Sequence, residues 1–412
     1  MVTVLLWLST AVIVTTLSYN SGMFALSRRR IPLAEPQEQR HFYVFLLACL
    51  NEEKVLGESL RRLLALPVAD CVAMVVDDAS DDGTAEIVRA VDSERVLLHQ
   101  RSLPNARRGK GAALNDGLRH LGPSRVLDGH DPDDVIICVL DADGRLEPEA
   151  VAEVDRYFAD PATGAVQIGV RMYNRTDSLL ARMQDMEFVV YTDIFQTARR
   201  HIGSVGMGGN GQFMRLSALR SLGSKPWSHQ LTEDLDLGVR LIAAGWQNQF
   251  CPTAAVHQQA VIRLRRLVRQ RSRWFQGHVQ ATRLLPLVLR EVPPRAAADL
   301  VYHLSSPAIL LLTSFLPLAF VAGMFGFAAD SITAGHSTFP VIWLVPLYLL
   351  AFAPAYAYAI VYRKRERDLG LLRCLLLSHL FVAYGYLWFA AGWWAMGRVV
   401  SGRTSWLKTA RT

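Results

Sequence analysis

Four stretches of this 412-residue chain carry no Asp, Glu, Lys or Arg: residues 1–27, 301–329, 337–362 and 374–397. Each is long enough to cross a bilayer as a helix. Between the first and the second, from 41 to 260, short apolar runs alternate with charged amphipathic ones. A chain patterned this way is expected to fold as one soluble domain with a membrane helix before it and further spans behind it. Residues 1–27 read as an uncleaved anchor rather than a signal peptide. A signal peptide carries its positive charge before the apolar run, and here Arg28, Arg29 and Arg30 follow it. Basic flanks face the cytoplasm, which puts residue 30 inside.

The same rule orients the rest. The loop 330–336 has no Lys or Arg and is expected outside; the loop 363–373, with Arg363, Lys364, Arg365 and Arg367, is expected inside. The last apolar run either crosses, exporting a basic tail (398–412), or is re-entrant; sequence leaves both open. The expected location is a multi-pass plasma-membrane protein whose 41–260 domain is cytoplasmic. The formal net charge of +7 gathers at Arg28–Arg30, along 263–273 and at Arg363–Arg367, all beside apolar segments. That distribution fits a lipid surface and argues against nucleic acid as a partner. The five cysteines form no Cys-x-x-Cys pair, so neither a disulfide framework nor a zinc site is indicated.

Within 41–260 the pattern is α/β. "FYVFLLACL" (42–50), "VAMVVDDAS" (72–80) and "DVIICVLDADG" (134–144) read as buried strands, with amphipathic helices between them. Such alternation predicts a mostly parallel sheet, which binds ligands beyond the carboxyl ends of its strands. Asp77, Asp78, Asp141 and Asp143 all fall at those ends.

Each chemistry-bearing stretch has a plain reading beside the functional one. Asp77 and Asp78 can accept hydrogen bonds from a nucleotide base, or merely cap the next helix. Lys110, between Gly109 and Gly111, can meet a phosphate, although the spacing is not that of a Walker loop. Asp141 and Asp143 put two carboxylates in one turn, which suits Mg²⁺ or Mn²⁺ shared with a diphosphate. Glu233 and Asp234 open a helix, where acids also simply complement the dipole; one of them can serve as a general base. Asp236 and Arg240 read as a surface i,i+4 pair. From 261 to 290 a basic amphipathic helix is expected. On it Gln270, Arg273 and Trp274 share a face suited to gripping phosphate and stacking on a sugar or base. Arg271 points elsewhere and, with the arginines before it, is expected to meet lipid headgroups.

Taken in order, "LNEE", "VVDDASDDGT", "GKGAALNDGL", "DAD", "TED" and Gln-x-x-Arg-Trp resemble the membrane-bound glycosyltransferases of family 2, which include cellulose, chitin and hyaluronan synthases. The resemblance covers residues 40–280. It implies a GT-A fold and inverting, single-displacement transfer from a nucleotide sugar, most simply a UDP-sugar. Carried over by position, Asp78 would bind the base with Asp77 beside it. Asp141 would contact nucleotide and metal, and Asp143 would ligate Mg²⁺ or Mn²⁺. Asp234, with Glu233 in the same motif, would take the proton from the acceptor hydroxyl. Lys110 and Arg273 would stabilise the departing diphosphate, and Gln270 and Trp274 would roof the acceptor.

Three segments depart from the family pattern. Ala48-Cys49-Leu50 stands where Pro-x-Tyr is usual, so stacking on the base from that strand is not expected. "GMGGNGQFMR" (206–215) looks more like the loop of bacterial glucosyl-diacylglycerol synthases. "HQQA" (257–260) replaces Glu-x-Pro and leaves His257 as either a structural residue or a metal ligand. Three functions follow. Processive synthesis of a β-linked polysaccharide comes first, on the Gln-x-x-Arg-Trp motif. Single transfer to a membrane lipid such as diacylglycerol comes next, on the glycine loop. A catalytically dead scaffold comes last, opposed by the retained aspartates.

Overall fold

The computed structural model describes residues 2–32, 39–316, 329, 333, 344–367 and 369–402. In chain order the first elements are helix α1 (Val2–Ser27), strand β1 (Phe42–Cys49), α2 (Leu56–Leu64), β2 (Cys71–Asp77), α3 (Thr84–Arg89), β3 (Val96–Gln100), α4 (Lys110–His120), β4 (Val135–Leu140), β5 (Arg145–Leu146), α5 (Ala150–Phe158), β6 (Thr163–Met172) and α6 (Leu179–Val190). A π-helical turn (Tyr191–Gln196) leads into α7 (Thr197–Ile202), β7 (Gln212–Arg215), α8 (Leu216–Ser221), α9 (Glu233–Ala243) and β8 (Gln247–Gln258). The chain continues as α10 (Leu264–Ala281), α11 (Leu285–Glu291), α12 (Pro294–Thr313), α13 (Leu344–Arg365) and α14 (Leu371–Val400).

The three predicted strands are β1, β2 and β4. β1 lies between the other two and is buried on both faces: Tyr43, Phe45 and Leu47 join one core, Val44 and Leu46 the other. That is the period-2 alternation of a strand covered by helices on both sides. α2 starts later than its apolar pattern, because Asn51 and Glu52 turn instead to receive Ser80 and Thr84: their backbone N–H groups donate to Ser80 Oγ (2.9 Å) and Thr84 Oγ1 (2.8 Å).

The sheet is mostly parallel, as expected, but mixed: β5 and β7 run against the other six strands. Its order is β3-β2-β1-β4-β7-β6-β8-β5, and β7 runs antiparallel to both β4 and β6, as β5 does to β8. The reason is local. The glycine loop before β7 begins beside Asp141, at the carboxyl end of β4, where the Asp141 N–H donates to Asn210 Oδ1 (3.1 Å). A strand leaving that point must run back down the sheet, and a short return needs no crossover helix.

Two helices among the described residues, α12 and α14, are long and apolar enough to cross a membrane. That is fewer than the three spans read behind the soluble domain, and α13 is a further long helix with Pro354 inside it. The expected outer loop 330–336, apart from Thr333, and the tail from 403 lie outside the described residues. The last apolar run is one unbroken helix. It rests on α10 and exposes Leu372, Leu376, Leu380 and Trp394 on the other side. The basic turn after α13 docks on the soluble domain: Arg365 pairs with Asp193, and Glu366 accepts from Arg171 (2.6 Å) and Arg175 (2.9 Å).

A buried pair fastens α12 to this domain. Arg199 of α7 donates from Nε to Asp299 Oδ2 (3.0 Å), and Tyr19 of α1 donates to Asp299 Oδ1 (2.8 Å). Both members of the pair are almost fully buried. Removing one partner of such a pair strands the other charge and costs about 3–5 kcal/mol. Asp299→Ala is therefore expected to lower the unfolding free energy of the detergent-solubilised protein by that amount. A loss below about 1 kcal/mol would mean that the pair does not hold α12 in place.

Candidate active site

A cavity of about 610 Å³ opens beyond the carboxyl ends of β1, β2 and β4 and runs under α10 towards α12 and α14. Its lining includes Asp78, Lys110, Asp141, Glu233, Asp234, Gln270, Arg273 and Trp274. Eight residues drawn from five segments of sequence thus meet in one space. Asp77 and Asp143 do not line it.

At the β2 end, Asp78 is paired with Arg101 and also accepts from the Arg107 N–H (3.0 Å). Three non-glycine residues around it, Asn51, Ala79 and Arg107, have positive φ angles of 52°, 63° and 61°. Left-handed backbone at several such residues is costly and concentrates at ligand sites. Asp77 sits behind this turn. Its Oδ1 accepts from the Ser80 N–H (3.0 Å) and its Oδ2 from Gln100 Nε2 (3.3 Å), so its carboxylate shapes the turn and does not line the cavity.

Lys110 opens α4 and reaches across the cavity to Asp141 Oδ1 (2.6 Å) and the carbonyl of Gly209. Burial opposes its charge, but Asp141, Glu233 and Asp234 outweigh burial and hold its pKa above the ordinary lysine value. The glycine loop is clamped from below. Gln167 Oε1 accepts from the Gly208 N–H (2.8 Å), while its Nε2 donates to the carbonyls of Asn210 (3.0 Å) and Gly211 (3.2 Å). A Cβ on Gly209 would lie 3.2 Å from Asp234 Oδ2 and 3.4 Å from Lys110 Nζ, so any side chain there would press on the ends of both.

Glu233 and Asp234 occupy the first turn of α9. Burial, then the neighbouring Asp234 charge, pushes Glu233 up to about 7, with Lys110 pulling the other way. Burial also raises Asp234, against Lys110 and its own backbone bonds. A pair of carboxyls both raised by burial is better suited to accept a proton than an ordinary carboxylate. Asp236 is not a surface residue as expected. It is buried behind the pair, where its carboxylate accepts from Arg240 Nε (2.6 Å) and Arg283 (3.1 Å).

Asp141 faces the cavity, whereas Asp143 is 1% exposed and accepts from the Gln259 N–H (2.8 Å). Among the described residues no three His, Cys, Asp or Glu form a ready metal cluster. A hard carboxylate in an open cavity, with few protein oxygens around it, fits Mg²⁺ or Mn²⁺ completed by phosphate oxygens. Asp141 would hold such an ion, with Asp143 in the same turn. His257 is turned to Glu147 (3.0 Å) and does not line the cavity; Gln258 lines it instead.

α10 roofs the site, and its polar face is buried rather than laid on lipid. Arg263, Arg265 and Arg269 are exposed, as a headgroup contact requires, but Arg271 is 1% exposed. Its guanidinium donates to Glu187 Oε2 (2.6 Å) and lies over the Trp274 ring at 4.1 Å. Glu187 in turn accepts from Tyr384 (2.6 Å) and Trp388 (2.8 Å) of α14. Sequence reasoning missed Glu187, Asn210, Gln258, His278 and Trp388. An acid inside the apolar "MQDMEFVVY" was a usable signal for Glu187; nothing local distinguished Trp388.

The approach of α10 to the acidic pair depends on Gly277, where a Cβ would lie 2.6 Å from Thr232 Cγ2 and 2.9 Å from the Thr232 N. Gly277→Ala must shift the roof relative to Glu233 and Asp234. Misplacement of about 1 Å can cost about 10²-fold in rate, so turnover should fall on that scale while nucleotide affinity is kept. Turnover within about twofold of the parent would show that the roof position is not critical.

Residues 40–277 match the family described as glycosyltransferase like family 2. A β-monoglucosyldiacylglycerol synthase of Trichormus variabilis is 32% identical over 275 residues, 65% of this chain and 55% of that protein. A poly-β-1,6-N-acetyl-D-glucosamine synthase of Staphylococcus aureus is 28% identical over 57% of this chain and 53% of its own length. The matches thus span about half the length of these relatives. In structure, a mannosyltransferase from Pyrobaculum calidifontis, solved with GDP-mannose and Mn²⁺, superposes with a TM-score of 0.63 over 96% of this chain and 98% of its own, at 20% identity. That likeness concerns the fold, which is GT-A-like. With a matching family model over more than half its length, this chain belongs to glycosyltransferase family 2.

Proposed function

We propose that this protein moves a hexosyl group, with inversion, from a nucleoside diphosphate sugar to a hydroxyl of a membrane lipid. The observation that carries the reading is the cavity's change of character along its length. One end holds Asp78, Lys110 and Asp141; the other is lined by Phe275, Pro307, Leu310 and Trp388, on helices that expose apolar faces. A charged donor and an apolar acceptor suit the two ends. The relatives named as glucosyldiacylglycerol synthases support the same acceptor class. The docked basic turn after α13 and the exposed arginines of α10 support a cytoplasmic catalytic domain on a plasma-membrane protein. A second reading, repeated transfer to a growing polysaccharide, is favoured by Trp274, whose ring can stack on a sugar.

In the proposed reaction Asp78 receives the base, uracil if the donor is a UDP-sugar, and Lys110 with Arg273 faces the diphosphate. Asp234 Oδ2, near Gly209 and Lys110, accepts the proton of the acceptor hydroxyl. The hydroxyl oxygen bonds to the anomeric carbon from the face opposite the diphosphate. The bond from that carbon to the phosphate oxygen breaks, and its electron pair leaves on the nucleoside diphosphate. Lys110 and Arg273 balance that charge in a site sheltered from water. A divalent ion on Asp141 supplies further charge neutralisation when bound. Glu233 keeps a second carboxyl beside the base, so the pair titrates together.

The base must be ionised to act, so activity should fall as the pH drops through the raised pKa values of the pair. The acid limb of kcat/KM should lie above the usual carboxylate range, because burial raises both members of the pair. Lys110 lowers both carboxyls, so Lys110→Met should move that limb to higher pH as well as reduce the rate. A limb near 4 in both proteins is the result that removes this base assignment. Asp234→Asn should abolish transfer and keep nucleotide binding. For the acceptor, purified protein given radiolabelled UDP-glucose, UDP-N-acetylglucosamine or GDP-mannose with Mg²⁺ or Mn²⁺ and lipid should yield organic-extractable label. Label found only in a water-soluble polymer would replace the lipid reading with the polysaccharide one.

A further inference from the structure

Pro307 has no N–H, so within α12 the carbonyl of His303, four residues earlier, lacks its helical donor. That carbonyl is taken from outside the helix: His278 Nε2 of α10 donates to it at 2.8 Å. A carbonyl can only accept, so Nε2 carries the hydrogen and Nδ1 is left as an acceptor. The His303 ring stands at a steep angle to that of His278, their centroids 4.7 Å apart. His278 follows Trp274 by four residues and Gln270 by eight, so it extends the same helix face into the apolar end of the cavity. His278, His303, Ser306 and Pro307 all line it.

We infer that His278, with His303 and Ser306, forms a subsite that reads the hydroxyls of an uncharged, glycerol-type lipid headgroup and discriminates against lipid phosphates. The inference rests on the lipid reading above and specifies the chemistry of the acceptor. Burial holds the His278 pKa down at about 4, so the ring is neutral at pH 7 and offers no charge to an anion. Among the described residues lining the cavity, Lys110 and Arg273 are the only Lys or Arg, and both face the donor end and its carboxylates. Arg271 is engaged with Glu187. A lipid phosphate near His278 would meet imidazole rings and a hydroxyl, and the nearest cation acting on His278, Arg199, is already held by Asp299. The acidic pair argues the same way. A phosphate monoester is already ionised at pH 7 and needs no base to attack, whereas an alcohol does.

The full chain is assayed on phosphatidylcholine vesicles containing either diacylglycerol or a polyprenyl monophosphate, with the nucleotide sugar selected by the acceptor assay above. Transfer to diacylglycerol should exceed transfer to the polyprenyl phosphate by at least about tenfold, the scale of one good polar contact. His278→Phe should raise the acceptor KM by about tenfold and leave the Kd for UDP within about twofold; His278→Asn, whose Oδ1 takes the place of Nδ1, should recover most of the loss. Comparable transfer to both lipids, or an unchanged acceptor KM in the Phe variant, overturns the subsite and leaves the lipid reading standing. Label appearing only in a water-soluble polymer overturns the lipid reading itself, and the subsite with it.

Discussion

A guanidinium buried under the roof of the cavity holds the α/β domain and the apolar helices in one piece. Arg271 has to find partners where water cannot reach it, because an unpaired buried charge costs several kcal/mol. It finds Glu187 from α6, and Glu187 also takes the Tyr384 hydroxyl and the Trp388 indole N–H from α14. The guanidinium plane lies against Trp274 and fixes that ring over the cavity. Three segments, separated by more than eighty residues each, therefore share one electrostatic solution. The last apolar helix is part of the site wall rather than only an anchor.

The same economy appears at the other contacts between domain and helices. Arg199 with Asp299 fastens α12, and Tyr362 and Glu366 fasten the end of α13 to Asp185, Arg171 and Arg175. In each case a charge on the soluble domain meets a complementary group on a helix that is otherwise apolar. Such bonds are directional, and they set the position of the helices where apolar packing alone would allow sliding. Pro307 adds a backbone version of this device, since it frees a carbonyl that a neighbouring helix then uses.

Much of the donor end was legible in sequence, because its residues sit at strand ends. The buried runs at 42–50, 72–80 and 134–144 mark β1, β2 and β4, and a residue following such a strand must lie at the ligand-binding edge of the sheet. Asp78, Asp141 and, through the helix start, Glu233 and Asp234 were found this way. Asp77 and Asp143 were read equally, yet adjacent residues point to opposite sides of a turn, and pattern alone does not say which of two carboxylates turns inward. The reversed course of β7 within a mostly parallel sheet escaped for a related reason. β7 is short and follows a glycine loop, and its direction depends on where that loop is tethered.

The apolar end of the cavity was much less legible. Arg271 was assigned to lipid from its helical position, which correctly separated it from Gln270, Arg273 and Trp274. What that position could not reveal is that another helix covers the opposite side of α10. Periodicity determined which residues share a face, where strands end and which segments are apolar, since those follow from backbone geometry and from the cost of burying charge. Which face is covered, by what, and which carboxylate meets which cation were decided only by tertiary structure, because those contacts join residues distant in sequence and depend on how separate elements pack.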